Sequence, residues 1–488
     1  MSDLRDFIAR VDELGELRVA RGADPDLEIG AITDLAQHRR DGPAVLFEDI
    51  LGYPGGHRIF VNAMGSRSRS AMVLGLPTGL PYRELVPLWR ERMRSLKPIP
   101  VRKVGDGPVM ENVRRGDEID LTRFPVPRWH EGDGGRYIGT GVIDIIRDPE
   151  SDWVNLGAYR VMLQGPRTVT MYISPGKHGR LLREKYYTRG EPMPVAIAFG
   201  QDPLLLMVAG NEVPYGVSEY EYAGGISGRP AEIIRGPVTG LPIPASAEIV
   251  VEGFLHPDET AIEGPFSEWT GYYAGEPHPE PLVRVEALYF RDDPILLGSL
   301  PVKPPAEFTA YRALMRSALL WEQLEAAGIP DVAGVWCHEA GGTRLFVAVS
   351  IRQRYPGHAR QVGHAVVSCQ AGAYTGRYVV VVDDDIDVTD LDDVIWAMCT
   401  RSDPAESVDL VRRAWSTPLD PRIPPEQRAK KDFTNSRLII DATRPYEWRD
   451  RFSRVAEWSP EMRALMREKW ASIILGEARE RAPAGLVR

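Results

Sequence analysis

The chain has 488 residues, too many for one ordinary hydrophobic core, so two or three domains are expected. Apolar residues make up 43% and charged residues 26%, a globular balance with no apolar run of membrane-spanning length and no charged-then-apolar leader. Acidic residues outnumber basic ones, 69 to 59, for a net charge of -10, which argues against nucleic acid or a membrane surface as the main partner. The three cysteines, Cys337, Cys369 and Cys399, show no CxxC spacing. A reducing, cytoplasmic setting without a cysteine zinc site is the simplest reading.

In chain order, residues 2–14 form an amphipathic helix with Ser2 as its cap and Leu4, Phe7, Ile8, Val11 and Leu14 on one face. Short strands and a helix near 83–95 complete a first α/β unit, residues 1–118. From 119 to 303 the strand-length runs "WVNLGAYRVML", "RTVTMYIS", "MPVAIAFG", "AEIVVEGFL" and "LVRVEALYF" predict a β-rich domain, a split barrel. "LPVKPPAEF" marks a boundary before a long helix at 306–327, stopped by Gly328 and Pro330. Residues 304–452 then read as a C-terminal α/β domain. It has a hairpin turning at Ala340-Gly341-Gly342, a buried parallel strand in "RYVVVVDDDIDV", and a helix capped by Asp390. A terminal helix fills 453–488, starting at Ser459-Pro460, with Trp470, Ile473 and Ile474 as its apolar stripe. The fold class is α/β of the multidomain α+β kind.

Several familiar catalytic signatures are absent: GxxxxGK[ST], GxSxG, HExxH, and GxGxxG after a strand. The glycines of "GDGGRYIGTG", 132–141, fit a turn before a strand better than a phosphate cradle. Asp383, Asp384, Asp385 and Asp387 could face a divalent ion, but acids between a strand and a capped helix more often serve as turn residues. Asn155, His178 and Glu219 are donors that suit Mn²⁺ or Mg²⁺, although each alone has an ordinary structural explanation. Asn155 and Arg160 are of odd parity and would point to opposite faces of one regular strand unless a bulge intervenes. Glu263 and Glu268 flank a Gly-Pro-Phe turn, crowded by Trp269 and Tyr272.

Together these segments resemble the UbiD family of prenylated-flavin-dependent, reversible decarboxylases, which includes the ferulic acid decarboxylases. The similarity runs in order through "LRDFIARVDELGEL", "DLTRFPVPRWHEGDGGRYIGTG", "WVNLGAYR", "SPGKHGRLL", "PYGVSEYEYAGG", "IEGPFSEWTGYY", "YPGHARQV", "VVDDDIDVTDLDDVIWAMCTR" and "SRLIIDATRP". It implies that Asn155, His178 and Glu219 hold Mn²⁺ against the phosphate of prenylated FMN. Arg160, Glu263 and Glu268 would be the catalytic set. K⁺ is implied near the carbonyls of 208–211 and Glu219. Gly157, Ala158, Tyr159, Arg160, Lys177, Gly210, Asn211 and Gln370 would border the cofactor beside the metal ligands.

In the family the iminium form of the flavin adds to the substrate double bond, CO₂ leaves, and a glutamate protonates the product. Here Glu268, desolvated by Phe266 and Trp269, would be the general acid. Glu263 would stay ionised if it reaches Arg160. The implied substrate is an aromatic, heteroaromatic or other α,β-unsaturated carboxylic acid, and a flavin prenyltransferase would supply the cofactor to a homodimer or higher homo-oligomer.

Two departures stand out. Some relatives carry a phosphate-contacting Lys where this chain has Gln370 or Ala371, leaving Arg377, Lys177 or the metal for that charge. Leu156 stands where some relatives carry an aromatic residue after the metal-binding Asn, a departure that bears on the implied K⁺ site. Tyr374, Thr375 and the loop before Pro445 would border the substrate. The rival readings are a split-barrel oxidoreductase using ordinary FMN and a non-catalytic assembly subunit.

Overall fold

The computed structural model describes residues 3–211, 213–273 and 275–474. The contacts divide the chain into two units, Met1–Thr443 and Arg444–Arg488. Among the described residues no helix is long and apolar enough to cross a membrane.

The first unit opens with the helix Leu4–Glu13, whose buried face is Leu4, Phe7, Ile8 and Val11. Its cap is Asp3, which accepts the Asp6 N–H; Ser2, the expected cap, lies outside the described residues. Four strands follow in the order Leu17–Arg21, Ala44–Glu48, Arg58–Val61 and Ile295–Gly298. The last of these returns from far along the chain and pairs parallel to Arg58–Val61, so the end of the middle segment is stitched into the N-terminal sheet.

The middle segment builds a nine-stranded antiparallel sheet. Its order is Tyr137–Gly139, Arg160–Gly165, Thr168–Tyr172, His278–Phe290, Ile249–Glu263, Met193–Phe199, Val142–Arg147 and Val154–Gly157, with Asn112–Arg115 added on His278–Phe290. Strands neighbouring in sequence therefore stand at opposite ends of this order. Val154–Gly157 and Arg160–Gly165 are six strand steps apart, ~29 Å in a flat sheet at the usual spacing. Only Ala158 and Tyr159 join them, and such a link spans at most about 11 Å. The sheet must curl until its ends meet, as the split-barrel expectation requires. Thr140 and Gly141 cross the same seam between Tyr137–Gly139 and Val142–Arg147.

This arrangement corrects the single strand expected over "WVNLGAYRVML". The parity conflict between Asn155 and Arg160 is resolved by a break at 158–159 rather than by a bulge, because the two residues belong to different strands.

The C-terminal sheet runs Val332–Cys337, Phe346–Ile351, Tyr378–Asp383, Thr434–Ala442, Val408–Trp415. The hairpin turns at Glu339–Gly341 as expected, and Tyr378–Asp383 is central, parallel to both neighbours, with Val379 to Val382 buried. The long helix Glu307–Ala326 packs against Tyr82–Ser95, where Arg90 donates to Glu322 at 2.7 Å and lies 4.2 Å over the Trp321 ring. Asp390 accepts the Asp392 N–H and caps Leu391–Arg401.

The second unit contains the helix Pro460–Ile474, with the Ser459 hydroxyl accepting the Met462 N–H at 3.2 Å. Trp470, Ile473 and Ile474 are exposed. The expected extension past residue 474 lies outside the described residues.

Candidate active site

Arg160 is the first residue of its strand and pairs in register with Tyr172, which sets its guanidinium 4.1 Å over the Tyr172 ring. Glu263 is the last residue of Ile249–Glu263 and is fully buried. The two meet as a fork: Arg160 Nε donates to Glu263 Oε1 and Nη2 to Oε2, each at 2.8 Å. Arg160 Nη1 donates to Glu268 Oε1. The Tyr137 hydroxyl is the third donor to the Glu263 carboxylate, reaching Oε1 at 2.8 Å, and its ring lies 4.0 Å from that of Phe266.

The loop carrying Glu268 is closed on itself. The Glu268 N–H donates to Tyr272 O at 3.0 Å, the Gly271 N–H donates to Glu268 O at 2.8 Å, and Ser267 bridges to Tyr273. Trp269 is partly buried, whereas Tyr272 is 62% exposed and presents much of its surface to solvent. Its backbone carbonyl helps close the loop.

Electrostatically, the cluster holds one cation between two acids. Burial would lower the Arg160 pKa, but Glu268 and Glu263 outweigh it, so the guanidinium stays charged. Burial pushes the Glu268 carboxyl up, Arg160 pulls it back, and the neighbouring Glu263 charge raises it again. Glu268 is thereby biased toward its protonated form. Its side chain keeps 12% exposure and that of Arg160 15%, against none for Glu263. The open edge of the cluster is therefore the Arg160–Glu268 edge.

A second polar cluster sits across the seam. Asn155 Nδ2 donates to Glu219 Oε1 at 2.9 Å, and the Leu156 N–H donates to Glu219 Oε2 at 2.8 Å. Asn155 and Glu219 are 2% and 3% exposed. His178 opens the helix His178–Thr188, its ring edge-on to Trp153 at 5.4 Å and to Tyr215 at 5.3 Å. Burial lowers its pKa, and Lys177 lowers it further. Burial pushes the Glu219 carboxyl up to about 7, opposed by the Leu156, Asn155 and its own backbone donors.

Among the described residues no three His, Cys, Asp or Glu side chains gather into a metal-holding group; this set contributes two of those types and an amide oxygen. A buried carboxylate met by neutral donors and the Asn155 amide, together with the imidazole of His178, whose turn is tied to Asn155 through the Tyr159 hydroxyl, is a donor set that fits a hard or borderline divalent cation.

The remaining candidates are less concentrated. Gly157 ends its strand, and Ala158 and Tyr159 form the link across the seam. Lys177 is exposed at the cap of His178–Thr188. Gly210 caps Pro203–Ala209, and the Asn211 amide donates to Met207 O at 2.5 Å. Gln370 is exposed at the start of Gln370–Ala373. Arg377, an expected phosphate partner, is committed to Asp420 at 2.6 Å.

The aspartate run takes its structural role. Asp383 and Asp385 hold Arg401, Asp384 meets Arg352, and Asp387 meets Arg83 at 3.2 Å. Gly134 and Gly135 of the glycine-rich segment pack tightly on Gly264 O and Met162, which is turn packing.

Sequence reasoning missed Tyr137 and Tyr172 at the first cluster and Trp153 and Tyr215 beside His178. The short hairpin from 160–165 to 168–172 offered one signal, since its register places Tyr172 opposite Arg160.

Comparison with known proteins agrees with the fold. Three family models match in succession: the 3-octaprenyl-4-hydroxybenzoate carboxy-lyase N-terminal domain over residues 8–89, its Rift-related domain over 102–304, and its C-terminal domain over 310–442. A pyrrole-2-carboxylic acid decarboxylase of Pseudomonas aeruginosa is 35% identical, covering 98% of this chain and 99% of the relative. A phenolic acid decarboxylase of a Streptomyces species is 32% identical over 95% of this chain and 98% of the relative. Among solved structures, the UbiD-class enzyme HmfF of Pelotomaculum thermopropionicum in complex with FMN superposes with TM-score 0.82 at 29% identity, covering 94% of this chain and 98% of that one. Vanillic acid decarboxylase of Sedimentibacter hydroxybenzoicus gives TM-score 0.84 at 28% identity, over 97% and 99% of the two chains. The chain belongs to the UbiD family of carboxy-lyases.

Proposed function

We propose that this carboxy-lyase removes CO₂ from a planar, conjugated acid, aromatic, heteroaromatic or α,β-unsaturated, with prenylated FMN as cofactor. The observation that carries the reading is the Arg160 fork on buried Glu263, with Glu268 as the second, partly open acid on the same guanidinium. When bound, the flavin supplies the electron sink that loss of CO₂ from an sp² carbon requires.

The chain's own residues divide the remaining work. Glu263 and Tyr137 lock the Arg160 guanidinium, leaving its open edge to orient the substrate carboxylate. Phe266 and Trp269 exclude water, which favours release of neutral CO₂ over retention of a charged carboxylate. Glu268, biased toward protonation, delivers the proton to the carbon that CO₂ leaves. Asn155, His178 and Glu219 would hold Mn²⁺ for the flavin phosphate, with Lys177 and the N-terminus of His178–Thr188 adding positive potential. The carbonyl end of Pro203–Ala209 is the negative end of a helix and suits a monovalent cation such as K⁺. A flavin prenyltransferase would supply the cofactor, and assembly as a homo-oligomer is expected.

The relatives' names, pyrrole-2-carboxylic, phenolic and vanillic acid decarboxylase, support a conjugated ring acid as substrate. The test is to co-produce the chain with a flavin prenyltransferase, weigh the bound flavin, measure Mn, and assay CO₂ release from pyrrole-2-carboxylate and phenolic acids. Prenylated flavin with turnover is expected. Unmodified FMN and no CO₂ from any acid would refute the reading.

A further inference from the structure

The two-residue link across the seam carries a side chain whose position the general chemistry leaves unexplained. Tyr159 is 8% exposed, and its ring folds back between two glycines. A Cβ on Gly157 would stand 2.1 Å from the ring's Cε2 and Cζ, and one on Gly179 would stand 2.6 Å from Cε2. Both glycines thus vacate the volume that the phenol fills. The backbone is pinned as well: the Tyr159 N–H donates to Asp144 Oδ2 at 2.8 Å, and Asp144 is fully buried on the strand opposite Gly157.

The hydroxyl makes two contacts. It accepts the Gly179 N–H at 2.9 Å and donates to Asn155 Oδ1 at 3.2 Å. Gly179 follows His178 in the first turn of its helix, so one oxygen atom spans from the amide of Asn155 to the turn that presents His178. The Asn155 Nδ2 is at the same time directed to Glu219. A carbonyl oxygen has two lone pairs; with one engaged by Tyr159, the second is left with a fixed direction.

We propose that Tyr159 is a positioning residue of the metal site, its hydroxyl setting both the aim of Asn155 Oδ1 and the separation of Asn155 from the His178 turn. This rests on the reading of Asn155, His178 and Glu219 as metal ligands. It gives Tyr159 a role distinct from flavin contact, and it gives Gly157 and Gly179 the role of making room for the ring.

The variant Tyr159→Phe keeps the ring between the glycines and deletes only the strut. Mn²⁺ would be titrated into full-length metal-free protein, with FMN present, by the EPR signal of free Mn²⁺, alongside Glu219→Gln. Tyr159→Phe is expected to bind Mn²⁺ about 10- to 100-fold more weakly, the usual effect of losing a group that orients a ligand. Its metal-free unfolding midpoint should stay close to that of the parent, and Glu219→Gln should show no specific binding. Parental Mn²⁺ affinity in Tyr159→Phe with loss in Glu219→Gln would overturn the strut while leaving the metal site standing. A lowered metal-free midpoint with unchanged affinity would reduce the phenol to packing and also overturn it. Absence of Mn²⁺ binding by the parent, or parental affinity in Glu219→Gln, would remove the metal site and the inference with it.

Discussion

The two polar clusters on either side of the seam are anchored by Asn155 and Arg160, which lie on one short stretch of chain, yet they handle buried charge in opposite ways. Around Arg160 the charge is met internally: a guanidinium lies between two carboxylates, with Tyr137 completing Glu263. Around Glu219 a carboxylate of similar burial is met by the Asn155 amide and the Leu156 N–H, both neutral. Self-compensation makes the first a preorganised tool whose geometry exists before any ligand arrives. On the reading proposed above, the second is a receptor whose buried carboxylate would exchange its proton for a cation.

The largest effect should come from breaking the compensated cluster. Arg160→Met leaves two neighbouring acids without their guanidinium and is expected to abolish turnover and lower stability by about 3 kcal/mol, read by denaturant unfolding and CO₂ release. A parental unfolding curve would show that the cluster is not compensated as described. The receptor cluster should respond to metal instead. Mn²⁺ at about 100 times its dissociation constant should stabilise the parent by about 2.7 kcal/mol. Calorimetry should find this lost in Glu219→Gln and kept in Glu263→Gln; equal behaviour of the two variants would erase the contrast.

Tyr137→Phe removes one donor from Glu263 and should reduce kcat by about 10-fold without altering Mn²⁺ binding, since a hydrogen bond to a charged group contributes about 1.5 kcal/mol. The smallest effect concerns another partly buried acid, Glu339. Burial pushes Glu339 up to about 7, with the Trp336 indole N–H as donor at 3.1 Å. A folded-state pKa raised above the unfolded value means the contribution is complete below the ordinary carboxylate range and lost as pH rises through about 7. The midpoint should fall by roughly 2 °C over that rise, with a flatter profile in Glu339→Gln. An identical slope in the variant would assign the effect elsewhere.

The extent of legibility follows from how local each feature is. The Asp390 cap and the buried Tyr378–Asp383 strand depend on neighbours a few residues away and were legible, whereas the first helix is capped by Asp3 rather than the expected Ser2. The Arg160 to Glu263 fork joins residues 103 apart. Spacing alone could not group them; only the order of whole motifs could. The break at Ala158-Tyr159 stayed hidden because "WVNLGAYRVML" has the composition of one strand, and what divides it is closure of a sheet whose partners lie elsewhere in the chain. Tyr137 was hidden by its neighbours, since a run rich in glycine reads as a turn even where it ends in a strand residue aimed at Glu263.

If Glu268 is the proton donor in a decarboxylation organised by Arg160, its loss must cost both CO₂ release and proton delivery. The most direct test follows CO₂ release and deuterium incorporation at the vacated carbon, in D₂O and across pH, for cofactor-loaded parent and Glu268→Gln. Because the Glu268 pKa is raised, parental activity should persist above the ordinary carboxylate range and fall as pH rises through the shifted value. Glu268→Gln should retain flavin and Mn but lose about 10²- to 10⁴-fold in both readouts. Undiminished deuterium incorporation in Glu268→Gln, with the parental pH profile, would exclude Glu268 as the proton donor.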